Sequence, residues 1–444
     1  MAARLGPRQE PHDDDAAPGR FVDWVLARRA DEDMGSLQIR ISPQGRTSPK
    51  KKANVWIRYA ARRVVGSFSL RLRDAGGPLA VKLPAGLVRA TSIEIDLSNR
   101  TLRLPPAGSA TYESLTELLL FSVRFAAGDD RGALGDLVTS CCPRLRTLRV
   151  VVASGLRYLA LRAEALEELE VSFASCLRTL DVTAPNLRLV KVKRCATDVV
   201  RIVAPRLEIF MSSYGLLPLP DLDIPQDCLA SVRRLNGISV DMHGKYHRAT
   251  YFGLWLMEKC HGVEHVNVML RHRLEDYHAP HVQLLDLTSE AAAPIVSITR
   301  MIVRPIEVPD RYLVASVSAL LTRFPCLRSL SVRIHGTKRG TLWPKCFCDH
   351  TAYSDKCEIH RKVALGLLEE VEIAGFTGAD EEMKLVSMLF QSSNSIKRMA
   401  LRGDAIRHQH LMKLPSSDRG CWNFAEQVLN WTCYAPEMSA TLVD

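Results

Sequence analysis

The 444 residues carry 59 Lys and Arg against 49 Asp and Glu, a net charge of +10, and are 47% apolar and 24% charged, which is the composition of a soluble globular protein. No apolar run approaches the ~20 residues a membrane-spanning helix needs, and the first twenty residues lack the apolar stretch of a signal peptide, so a membrane protein is excluded and a cytoplasmic and/or nuclear chain is expected. Its 12 cysteines are then expected to be reduced, most of them packing as small buried apolar side chains.

Residues 1–20 are polar, acidic at Asp13, Asp14 and Asp15 and interrupted by Pro7, Pro11 and Pro18, with too little apolar surface to offset chain ordering; they read as disordered. Residues 21–66 read as a helical N-terminal region. Its first helix places Phe21, Val22, Val25 and Leu26 on one face. In the second, Ser48 suits the cap and Pro49 the first helical position. Val55, Trp56, Tyr59, Ala60 and Val64 form its apolar stripe. The other side is basic, with Lys50, Lys51, Lys52, Arg58, Arg62 and Arg63. Charge on a helix is first a solvated face, and the same lysines are candidates for contact with a partner, including a nucleic acid.

Residues 67–72, 80–83, 91–97 and 102–104 read as strands. Leu115-x-x-Leu118-x-Leu120 opens a series of apolar-x-x-apolar-x-apolar motifs, followed by a helix over 133–141. The series then tightens. Copies start at Leu145, Leu166, Leu187 and Leu207, in steps of 21, 21 and 20, and an interleaved set starts at Leu156 and Leu177. Fixed-period self-similarity of this length marks leucine-rich repeats. With about ten residues between starts, a strand of about five plus a turn uses up the chain and leaves no room for an ordinary helix. These central coils are therefore expected to carry strands on both faces. Pro143, Pro185 and Pro205 stand just ahead of strand starts, where no ladder N–H is lost.

Stacking places equivalent residues about 4.8 Å apart on neighbouring parallel strands. One face then presents Arg149, Glu170 and Lys191, and the other Ala160, Asp181 and Arg201. We expect a ladder of alternating charge, each pair worth a few tenths of a kcal/mol. Stabilisation of the stack comes first; contact with a partner is the second role open to Arg149, Glu170 and Lys191.

Beyond 213 the pattern widens. Helices over 251–259, 311–322 and 381–390 precede motifs starting at Val263, Leu327 and Ile396, and Leu368-x-x-Val371-x-Ile373 is a further strand. Intervals around 214–230, 270–285 and 336–362 read as protruding loops, where binding determinants concentrate. The whole is an α/β leucine-rich-repeat solenoid over 67–402, horseshoe-like, with helix-bearing repeats at either end and a C-terminal tail over 403–444.

Chemistry-bearing clusters are sparse. Cys346, Cys348, His350, Cys357 and His360 could supply four tetrahedral zinc ligands and order a loop with little core of its own, although Cys-x-Cys is not a common zinc-knuckle spacing and reduced surface cysteines need no ligand. Asp241, His243 and His247 form a weaker group, better read as loop or core histidines. No phosphate-cradling glycine loop, nucleophile elbow or helix-borne pair of histidines with a glutamate is present, and Cys141-Cys142 ahead of Pro143 reads as packing. A solenoid presents a surface to another macromolecule more naturally than a closed reaction site. A non-enzymatic role without a required cofactor is expected.

Several stretches resemble plant F-box/leucine-rich-repeat proteins of the FBD-associated type, as expanded in grasses. They are residues 21–29, Trp56-Ile-Arg-Tyr59-Ala-Ala-Arg62-Arg63-Val64-Val65, Tyr112-Glu-Ser-Leu115-Thr-Glu-Leu118, Cys141-Cys142-Pro143-Arg-Leu145 and Leu180-Asp-Val-Thr-Ala-Pro185-Asn-Leu187. The Cys346/Cys348 loop and the segment from Glu370-Val-Glu-Ile373 to Met399, which resembles an FBD region, complete the set. The resemblance covers most of 21–402. It implies a substrate receptor of a cullin-type (SCF) ubiquitin ligase, in which an N-terminal F-box holds a Skp-type adaptor and the repeats bind the protein to be ubiquitinated. An F-box takes roughly 40–50 residues, near the minimum for a folded unit. Only 20 polar residues precede Phe21 here, so the F-box, and adaptor binding with it, are expected to be missing.

Overall fold

The computed structural model describes residues 18–29, 33–41, 52–73, 80–106, 108–126, 132–213, 221–241, 247–271, 293–306, 308, 313–334, 363–404, 406, 408–415 and 419–434. They divide into two compact units, Met1–Val232 and Arg233–Asp444.

The first unit opens with α1 (Pro18–Arg28), β1 (Met34–Ile41), α2 (Ala53–Arg63) and β2 (Val64–Leu72). It continues through β3 (Ala80–Lys82), β4 (Gly86–Leu87), β5 (Ser92–Arg103), β6 (Ala110–Thr111), β7 (Glu117–Phe125) and α3 (Ala133–Cys141). Then come β8 (Thr147–Ser154), β9 (Tyr158–Arg162), β10 (Glu168–Ser172), β11 (Thr179–Thr183), β12 (Leu189–Lys193), β13 (Val199–Val203), β14 (Ile209–Ser213), β15 (Asp221–Asp223) and α4 (Gln226–Ser231). Strands β1, β2, β5, β7, β8, β10, β12 and β14 pair in that order, all parallel, and β3 joins the second half of β5. The interleaved motifs build a separate parallel sheet, β9-β11-β13-β15.

Between the strands lies one recurring corner. Leu145, Leu177, Leu187 and Leu207 donate their backbone N–H groups to the carbonyls of Cys142, Ala174, Ala184 and Ala204, three residues back, at 3.1–3.2 Å. Each of these four leucines is fully buried. Pro143, Pro185 and Pro205 occupy the second position of this turn, where the ring presets φ and no donor is needed. A small residue sets the corner, a buried leucine closes it, and the next strand starts two residues later. Two such corners fit in each 21-residue period, which is why both sheets exist. Within the sheets, Leu148, Leu169, Val190 and Phe210 lie in register and buried, as do Leu159, Leu180 and Val200.

Helix α3 lies along the edge of β9. Thr139 Oγ1 accepts the Arg162 N–H at 3.1 Å. The backbones approach so closely that a Cβ on Gly135 would stand 2.0 Å from the Ala160 carbonyl oxygen. A helix laid on an unpaired edge removes a template for aggregation.

The second unit comprises β16 (Arg234–Asp241), α5 (His247–Lys259), β17 (His265–Arg271), β18 (Arg300–Ile306), α6 (Leu313–Leu321), β19 (Ser329–Arg333), β20 (Glu370–Ala374), α7 (Asp380–Ser392) and β21 (Arg398–Arg402). A hairpin of β22 (Gly420–Ala425) and β23 (Val428–Cys433) follows. Strands β16 to β21 are parallel neighbours in chain order, and β23 adds to β21 antiparallel. Leu235, Val266, Met301, Leu330, Val371, Met399 and Trp431 form one buried in-register row across it.

Several expectations need correction. Residues 18–20 belong to α1 instead of a disordered segment, whereas 1–17 lie outside the described residues. The 21–66 region contains a strand, β1, paired with β2. Helix α2 starts at Ala53 with no side-chain cap, not at Pro49, which with Ser48 lies outside the described residues. Its buried face is Ala53, Trp56, Ile57 and Ala60, while Val55 is 48% exposed. The stripe drawn from sequence was rotated because Ile57 and Val55 are both apolar, and only the position of β2 and β3 decides which faces inward. The tail contains the β22–β23 hairpin, invisible to a search for repeats because it is antiparallel and has no leucine ladder.

Asp23 ties α1 to α2. Its carboxylate accepts from Lys52 Nζ at 2.5 Å and from Trp56 Nε1 at 2.8 Å. Burial pushes this carboxyl up, but the hydrogen bonds from Lys52 and Trp56 and the Lys52 charge outweigh it and hold the pKa below the ordinary 3.8. A pKa depressed on folding gives stability that is present above the ordinary value and is lost as pH falls through the folded one. The Trp56 indole N–H resonance is therefore expected to titrate with a midpoint below 3.8 and to lose this step in Asp23→Asn. A midpoint at or above 3.8 would contradict the assignment.

Candidate functional site

The outward faces of β8, β10 and β12 follow from register. Arg149, Glu170 and Lys191 are direct neighbours across the strands. Lys191 Nζ lies 2.5 Å from Glu170 Oε1, and Arg149 lies 3.9 Å from Glu170 and 3.4 Å from Glu168. Ser172 Oγ donates to Glu170 at 3.0 Å. Glu170 sits at the centre, with only 13% of its side chain exposed against 23% for Lys191. Nearer the corners, Arg146 pairs with Glu167 and Arg188 with Glu208. This face largely satisfies itself.

On the second sheet one pair is diagonal, Asp181 with Arg162, and one is direct, Arg201 with its register neighbour Asp223. Asp181 stands in register between Ala160 and Arg201, yet its carboxylate takes two hydrogen bonds from Arg162, at 3.0 and 2.9 Å, and Arg201 pairs with Asp223 at 3.4 Å. Register places the residues, and side-chain reach then selects the partner.

A different column lies just past these rows. Two residues beyond Leu120, Val150, Val171 and Val192 stand Ser122, Val152, Phe173 and Arg194, with φ of 49°, 57°, 58° and 48°. The β5 bulge facing Ser122 holds Ser98 and Asn99 at 50° and 68°. Such left-handed geometry is the province of glycine and asparagine. For Val, whose branched Cβ meets the carbonyl, it is an outlier of roughly 1–3 kcal/mol. Val152 and Phe173 are also 47% and 44% exposed. They border an open groove of about 300 Å³ with Ser98, Asn99, Ser122 and Ser154. Arg194 lies over the Phe173 ring, 5.3 Å from its centroid. Val152, Phe173 and Arg194 could be traced in sequence from the 21-residue step; their backbone conformation could not.

Other sequence candidates scatter. Lys50 and Lys51 lie outside the described residues, as do Cys346, Cys348, His350, Cys357, His360 and His243; the side chains of Asp241 and His247 are likewise not described. Lys52 is drawn into the ion pair with Asp23. Among the described residues no group of three or more His, Cys, Asp or Glu is placed to hold a metal ion, and no helix is long and apolar enough to cross a membrane. Cys141 and Cys142 are buried, and burial pushes the Cys142 thiol up to about 12, far from a reactive thiolate.

Comparison with known proteins places these features in context. A family model for "FBD-associated F-box protein At5g56370, LRR repeats" matches residues 53–214. The "Putative F-box/FBD/LRR-repeat protein At4g03220" of Arabidopsis thaliana is 24% identical over 351 residues, 72% of this chain. The chain spans 65% of that relative's length. Together with the mostly-strand α/β architecture, the match gives a leucine-rich-repeat type of fold, and the similarity is to plant FBD/leucine-rich-repeat proteins.

If the Glu170–Lys191 pair supports the stack, Glu170→Gln and Lys191→Met should not add. A double-mutant cycle in urea is expected to give about 0.5–1 kcal/mol of coupling, the upper range for a cross-strand pair, because both groups are mostly shielded.

Proposed function

We propose that this chain is a protein-binding module that supplies the target-recognition side of an SCF-type ubiquitin ligase, without catalytic chemistry of its own, working in the cytoplasm or nucleus. Similarity to an F-box/FBD/LRR-repeat relative over 72% of the chain carries the reading. The fold supports it: parallel strands in register offer a long exposed surface, which suits recognition of a macromolecule better than a closed reaction site. On this reading the strand faces and strand ends of the repeats hold the target, and the contact with a Skp-type adaptor belongs to an F-box and not to residues 18–434. The horseshoe form and helix-bearing ends expected of the solenoid are part of the same proposal. Zinc at the Cys346–His360 loop is not required by it. Nucleic-acid association through the basic side of α2 is the second reading; Lys52 is engaged by Asp23, while Arg58 and Arg62 are exposed.

The division of labour is testable with purified components. The chain mixed with a Skp-type adaptor should elute separately in size-exclusion chromatography with light scattering. The same chain with an F-box fused ahead of Pro18 should form a 1:1 complex. A stoichiometric complex with the unfused chain would overturn the assignment.

A further inference from the structure

The column at Ser122, Val152, Phe173 and Arg194 sets stability against exposure. Four successive strands place side chains where glycine would be unstrained, and the two apolar ones point a large part of their surface at water. Strain held at a surface is the observation from which a functional site is inferred. The surroundings have a definite chemistry. Hydroxyls of Ser122 and Ser154 and the Asn99 amide line one side, with Ser154 Oγ 3.1 Å from Asn99 Oδ1. The flanks are basic: exposed Arg124 is the register neighbour of Ser154, and exposed Arg194 stands beside Lys193. Within the bulge, Asp96 accepts the Ser98 N–H at 3.3 Å.

We propose that this strand-end groove binds an extended acidic segment of a partner protein, which seats one bulky apolar side chain between Val152 and Phe173. Its carboxylates face Arg124 and Arg194, and its main chain bonds to the Ser122, Ser154 and Asn99 side chains. The proposal deepens the protein-binding reading and rests on it.

The probe is a set of fluorescein-labelled octapeptides of Ser and Gly with a central Leu, Phe or Ala followed by Asp-Asp, Ser-Ser or Lys-Lys, titrated into the full chain by fluorescence anisotropy. Leu-Asp-Asp and Phe-Asp-Asp peptides are expected to bind best, with a loss of about tenfold or more on replacing the apolar residue by Ala or the acids by Lys. Phe173→Gly should abolish that preference while holding or raising the thermal midpoint, because glycine takes φ near +58° without strain. Phe173→Asn, which also tolerates this backbone, should lose binding equally.

Absence of binding across the set, or binding unchanged by Phe173→Gly, would overturn the groove. So would a single-stranded oligonucleotide that binds and loses affinity in the same variant. Binding lost in Glu170→Lys but kept in Phe173→Gly would leave the protein-binding reading standing and move the site to the strand face.

Discussion

Ten or eleven residues are all the chain between 145 and 213 has for each step from one strand to the next. A five-residue strand and a turn consume them, so the coils close through tight corners, and at four of these the N–H of a buried leucine bonds back to a small residue three positions earlier. The strands that these corners launch stack in register. Two parallel sheets, rather than one sheet backed by helices, are the consequence of that shortage of chain.

Register converts sequence periodicity into columns, and the columns differ in character. Inward ones are aliphatic and close the core. The Arg149, Glu170 and Lys191 column alternates in sign, which is what stacking at about 4.8 Å demands, since like charges at that separation oppose the stack. A column so paired has little left to offer a partner. The strand-end column is the opposite case: its residues are strained, Val152, Phe173 and Arg194 are exposed, and the flanks are basic. This contrast is the reason the groove proposed above is placed at the strand ends.

Much of this was legible in the residues. The leucine ladder, its 21-residue step, the second sheet and the helix over 133–141 all follow from periodicity and chain length. Features set by the tertiary context were not legible. Which side of α2 is buried depends on β2 and β3, because Val55 and Ile57 are equally apolar. That Asp181 turns to Arg162 and leaves Arg201 to Asp223 depends on side-chain reach. The left-handed φ at Val152 and Phe173 runs against the intrinsic preference of both residue types, so no propensity argument could have found it. Sequence reasoning fails there because the local rule is broken, and a broken local rule is itself a pointer to function.

The register of the two sheets is the claim on which the rest stands, because a slip of one residue would turn every column inside out. Inter-strand backbone NOEs in deuterated protein test it directly. The account predicts contacts pairing Leu169 with Leu148 and Val190, and Leu180 with Leu159 and Val200. Contacts displaced by one residue, or helical shifts over 158–162 and 179–183, would contradict it.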